Sequence, residues 1–116
     1  SEDVARLSNW FRNVPCDSGK DGCKNIEKVL DQANKYLLEK GILFFPLISL
    51  SDTKKVLRLA QLNFNKVIKV SHNDWFLPDE IGNNIDLLKS LKDQDLINYC
   101  ERFGKLICWT DIYMAY

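Results

Sequence analysis

The sequence predicts an α/β domain in which helices flank a mostly parallel sheet with a C-terminal antiparallel strand or hairpin. Two observations predict it. Apolar residues recur at three- and four-residue spacing in separate stretches, as on one face of a helix, and two such stretches are each followed by a short run rich in Ile, Val and Phe. Helix, strand, helix, strand is the rhythm of a right-handed crossover unit. The 116 residues are enough for one domain with a modest core, spanning residues 1–116.

Val4, Leu7, Trp10, Phe11 and Val14 place a first helix over residues 3–14, ending before Pro15. Residues 15–22, with Gly19 and Gly22, have the composition of a loop. Ile26, Val29, Leu30, Ala33, Leu37 and Leu38 form the stripe of a second helix, with Asp21 or Asn25 to cap it and Gly41 as its left-handed stop. The near-continuous apolar run 42–50 is expected to be a strand buried on both faces, with Pro46 bulging or shortening it. Ser51-Asp52-Thr53 caps a third helix whose inward face holds Val56, Leu57, Leu59, Ala60 and Leu62. A short strand follows at 66–71, then a loop at 72–78 carrying exposed aromatics. Pro78-Asp79-Glu80 opens a helix through Leu91, and a short helix or turn is expected near 93–97. Gly104 separates two β-rich stretches, 99–103 and 105–116, which read as a hairpin or a bent terminal strand.

Sixteen basic and sixteen acidic residues leave a formal charge of zero, so no global field draws the chain to nucleic acid or to an anionic membrane. The longest apolar run is too short to span a bilayer, and the acidic start Ser1-Glu2-Asp3 is unlike a signal peptide, so a cytoplasmic protein is expected. Cys16, Cys23, Cys100 and Cys108 contain no Cys-x-x-Cys pair, and His72 is the one histidine. Reduced thiols and no metal site are therefore expected, with two disulfides or a zinc site as lesser alternatives.

Gly19 to Gly22 could cradle an anion at a helix start, but Asp21 sets negative charge there and a plain turn explains the glycines. His72 and Asp74, beside Trp75, could form an acid–base pair, although no nucleophile stands at a defined spacing. Lys54, Lys55, Lys66 and Lys69 interleave with apolar positions, which marks a solvated face and not a nucleic-acid groove.

The order of Gly19-Lys20-Asp21-Gly22, a helix ending at Lys40-Gly41, the run Ile42-Leu43-Phe44-Phe45-Pro46-Leu47, then Phe64-Asn65-Lys66-Val67 and Ile68-Lys69-Val70 resembles the C-terminal half of class I S-adenosylmethionine-dependent methyltransferases. It is similar in particular to the small-domain group that includes the release-factor glutamine methyltransferases. The resemblance covers residues 15–71 and implies a partial Rossmann-like sheet. Asn13-Val14-Pro15-Cys16 is similar to the family's Asn-Pro-Pro-Tyr segment and departs from it at two positions. The resemblance puts Asn13 and Pro15 in catalytic places, although a helix end halted by Pro15 accounts for the same residues. By the same resemblance Trp75 and Phe76 would touch the substrate; the alternative is that they are core. None of the five glycines, Gly19, Gly22, Gly41, Gly82 and Gly104, makes the family's cofactor loop.

Two functions are thus expected. In the first, the chain is the C-terminal portion of an N-directed methyltransferase, inactive alone. S-adenosylmethionine then belongs to the complete enzyme and not to this chain, and a complementing chain or a second copy pairs with the free edge of strand 42–50. In the second, it is a non-catalytic α/β interaction or inhibitor module of the immunity-protein kind that uses its aromatic loops.

Overall fold

A computed structural model describes residues 1–8 and 17–116. The elements run α1 (Glu2–Ala5), α2 (Lys24–Tyr36), β1 (Leu43–Ile48), α3 (Thr53–Asn63), β2 (Val67–Phe76), α4 (Asp79–Gly82), α5 (Ile85–Asp93), β3 (Cys100–Arg102) and β4 (Lys105–Ala115). The mostly parallel Rossmann-like sheet is not what forms. β4 lies at the centre and pairs antiparallel with β1, β2 and β3, in the order β1-β4-β2 with β3 also on β4. Both β1 and β2 oppose β4, so they point the same way, as a crossover through α3 requires. The last strand nevertheless sits between them. Sequence order gave the direction of β1 and β2 and could not show that an 11-residue strand near the C-terminus would separate them.

Several local expectations also shift. α2 stops at Tyr36, where Leu37 turns extended, and Gly41 is not left-handed. β2 continues to Phe76 through the expected loop, because β4 is long enough to pair with it throughout. The helix expected from Pro78 to Leu91 breaks into α4 and α5 around Asn83 and Asn84. The terminal hairpin forms as expected, with Phe103 and Gly104 as its two turn residues. Asp52 caps α3 by accepting the Lys55 amide at 3.0 Å, a cap that contributes about 1 kcal/mol.

Alternation along β4 divides the sheet into an odd face (Ile107, Trp109, Asp111, Tyr113, Ala115) and an even face (Cys108, Thr110, Ile112, Met114). α2 and α3 bury Leu30, Val56 and Ala60 against Phe45, Leu47 and Ala115 on the odd face, at the C-terminal end of β4. Val4 of α1, Ile81 of α4 and Leu88 of α5 pack with Cys108 on the even face, towards its N-terminal end. Each fully buried Leu, Val or Phe contributes roughly 1.5–3 kcal/mol. The two layers are therefore offset. Each face is covered over one part of its length, and β1 records this directly, with Phe45 and Leu47 buried and Phe44, Pro46 and Ile48 exposed. That alternation corrects the expectation of a strand buried on both faces.

Pro46 neither bulges nor shortens β1. The Ser49 amide donates to the Trp109 carbonyl, which fixes the ladder's alternation and places Pro46 opposite Ile112 in a non-hydrogen-bonded pair. Its missing N–H then falls on the open edge, the position a strand tolerates.

Candidate interaction surface

Two features of the sheet could carry function: a polar cluster on the odd face and an apolar expanse on the even face. The polar cluster is created by a bulge. The register of β2 against β4 shifts between Lys69 and Ser71, leaving Val70 unpaired and bringing His72 opposite Asp111. In a regular ladder Val70 would oppose Ile112 and Ser71 would oppose Asp111, and His72 would project from the other face. His72 Nδ1 lies 2.5 Å from Asp111 Oδ1, and Nε2 lies 3.0 Å from Asp74 Oδ1. Lys69 Nζ stands 3.4 Å from the second Asp111 oxygen. The Asp111 carboxylate, with Asp74 behind it, raises the imidazole above its ordinary pKa despite some opposing desolvation.

This arrangement favours the imidazolium, held between two carboxylates, over the free base. The two carboxylates grip opposite edges of the ring, so they do not converge on a common point. Among the described residues no group of three His, Cys, Asp or Glu is placed to hold a metal ion. Cys23, Cys100 and Cys108 are free thiols. Burial pushes Cys23 and Cys108 up to about 11, far from the thiolate form that chemistry needs.

The even face beyond the reach of α4 and α5 has a different character. β1 contributes Phe44, Pro46 and Ile48, of which Phe44 is 59% exposed. β4 contributes Thr110, Ile112 and Met114, all partly exposed. β2 contributes Ile68, Ser71 and Asn73, and its bulge adds Val70, 48% exposed. Among the described residues no charged side chain stands on this three-stranded grid. Charge is instead displaced to its rim, where Lys66 lies over the Tyr116 ring. Soluble proteins leave contiguous apolar surface of this kind mostly where something binds.

The grid runs into a cleft of about 450 Å³. Pro46 and Ile48 form the shared wall, and Val4, Ile26, Trp75 and Ile81 close the other sides. The Trp75 indole donates from Nε1 to Thr110 Oγ1 at 3.1 Å, which fixes the ring at this boundary. The Gly19–Gly22 loop beside the cleft is a turn into α2 and not an anion cradle. Asp21 Oδ1 accepts the Cys23 amide at 3.0 Å, and Lys55 neutralises Asp21 at 2.7 Å.

The residues singled out by sequence do not form one site. Trp75 and Phe76 alternate across β2, so Trp75 lines the cleft on the even face, whereas Phe76 lies on the odd face with Lys105 Nζ 5.6 Å from its ring centre. Asn13 and Pro15 lie outside the described residues. What sequence reading missed is the grid itself. Phe44, Ile48, Ile68 and Ile112 have the composition of core, and the one local signal against that reading was Pro46, which belongs on an edge strand.

Comparison of the chain with protein-family models, with curated proteins and with solved structures finds no match. Among the described residues no helix is long and apolar enough to cross a membrane.

Proposed function

We propose that this chain is a non-catalytic interaction module that binds a protein partner through the uncovered even face of its sheet. The observation that supports the reading is the exposed, charge-free grid of β1, β4 and β2, continuous with an apolar cleft. The methyltransferase expectation drew on the order of motifs over residues 15–71, and the interaction reading is preferred to it because of the exposed grid and not because of the strand order. The reading assigns no catalytic residue and needs no S-adenosylmethionine.

The face is preferred to the free edge of strand 42–50 as the point of attachment. Ladder alternation turns the backbone groups of Phe44, Pro46 and Ile48 outward from β1. Pro46 has no N–H to offer, and the Ile48 carbonyl already accepts from the Ser51 amide and hydroxyl. An incoming strand would meet an interrupted ladder, a common protection of sheet edges.

Titration of the folded protein with an apolar fluorescent dye such as anilinonaphthalene sulfonate tests the accessibility of the face. Saturable binding that Phe44→Lys with Ile48→Lys removes, while the circular dichroism spectrum is kept, is expected. Dye binding that is absent from the wild type, or unchanged in the variant, would sink the reading.

A further inference from the structure

We infer that the open edge of β2 pairs with the same edge of a second copy of the chain, antiparallel about a two-fold axis through Asn73, so that one sheet runs across both subunits. β2 ends the order β1-β4-β2, and among the described residues no strand lies on its other side. Residues 69–74 are all exposed, and no proline interrupts the strand. The inference is independent of the interaction reading above, which concerns a face of the sheet and not this edge.

Ladder alternation determines what this edge offers. The Leu77 amide donates to the Leu106 carbonyl at 2.9 Å, so Ser71, Asn73 and Trp75 also turn their backbone groups to β4. His72, Asp74 and Phe76 turn theirs outward, without the gap that Pro46 leaves on the edge of β1. The bulge at Val70 limits the regular edge to residues 71–76. Antiparallel pairing sets opposite residues on the same face, so two identical strands must place one residue on the axis. The registers that pair most of the edge put Asn73 or Asp74 there. Asp74 on the axis opposes two carboxylates, a destabilising like-charge pair. Asn73 on the axis sets each His72 directly opposite the partner's Asp74.

His72 and Asp74 of the two copies then alternate around the axis, with unlike charges adjacent. Asp111 raises the His72 pKa, which favours the cation that this pattern needs. The offset helical layers leave room for the partner. α2 and α3 cover the odd face towards Val67, whereas α4 and α5 cover the even face towards Phe76. Antiparallel alignment lays the Val67 end of one β2 beside the Phe76 end of the other, so the helices of each copy stand beside the bare sheet of its partner.

Sedimentation velocity of the full chain across micromolar concentrations, joined to disulfide trapping, tests this. The wild type is expected to move with concentration from 13.5 kDa towards twice that mass. Asp74→Lys should hold it at the monomer mass, whereas Phe44→Lys with Ile48→Lys, on the even face, should leave the dimer intact. On the axis Asn73 meets its counterpart as a non-hydrogen-bonded pair, with Cα atoms ~4.5 Å apart and within reach of a disulfide. Under mild oxidation Asn73→Cys should therefore form a covalent dimer above the wild-type background, and Phe76→Cys, three residues from the axis, should not. Asn73 is exposed, so its variant carries the test should Asp74→Lys unfold the chain. A wild type that stays monomeric would overturn the inference and leave the reading of the face standing. A dimer that a folded Asp74→Lys variant retains, or that Asn73→Cys does not trap, would overturn it as well.

Discussion

His72 and Asp111 face each other across β2 and β4 with Nδ1 and Oδ1 2.5 Å apart, and they do so because Val70 bulges out of the ladder two residues earlier. A single extra residue turns the one histidine of the chain from an apolar face to a polar one. The pair occupies a non-hydrogen-bonded position, where cross-strand side chains approach most closely.

The His72 imidazole should titrate above about pH 6.5, the ordinary value for histidine. A proton held more tightly in the folded than in the unfolded state stabilises the fold fully below that ordinary value. The contribution is lost as pH rises through the folded-state pKa. The ring is about half exposed, so the effect on stability is small and the NMR titration of this single imidazole is the better readout. Asp111→Asn should bring the midpoint back towards 6.5, and a wild-type midpoint at or below that value would refute the assignment.

Ser49 ties together the place where β1 and β3 meet end to end along β4. Its amide donates to the Trp109 carbonyl at 2.9 Å, its hydroxyl accepts the Trp109 amide at 3.1 Å, and its carbonyl accepts the Asn98 amide at 2.5 Å. Ser49→Ala leaves the part-buried Trp109 amide without its acceptor, which should cost about 1 kcal/mol. Urea unfolding measures this. A loss within experimental error would mean that water takes over the hydroxyl's role.

Phe103 occupies the left-handed region at φ 54 in the β3–β4 turn, followed by Gly104 at φ 72. Two consecutive positive φ values mark the type I′ hairpin, whose first position favours Asn, Asp or Gly. Phe103 is 99% exposed, so its side chain offers no packing to offset the backbone strain. Phe103→Asn should therefore raise stability by about 1 kcal/mol without changing the fold. A fall in the thermal midpoint would show that the aromatic ring contributes something this geometry does not contain.

Legibility in the sequence followed the range of the interaction concerned. The α3 cap at Asp52 and the amphipathic stripe of α2 depend on residues a few positions apart, and each was readable from spacing and residue type, whereas the break at Gly104 was compatible with a hairpin or with a bent strand. The His72–Asp74 neighbourhood could be read too, but Asp111, which lies 39 residues beyond His72, could not. Phe44 and Phe45 show the limit most plainly. They are adjacent and chemically identical, yet one is buried under α2 and α3 and the other is largely exposed.

The sequence by itself determined a mixture of helices and strands, the amphipathic stripe of α2, the Asp52 cap of α3 and the neutral charge balance. Tertiary structure decided that β4 enters between β1 and β2, that the helical layers are offset, and that the bulge at Val70 turns His72 towards Asp111. The division has a physical cause. Local spacing sets which element a segment forms, whereas strand neighbours and covered faces are set by pairing between residues far apart in the chain, and those pairings leave no periodic trace in either partner.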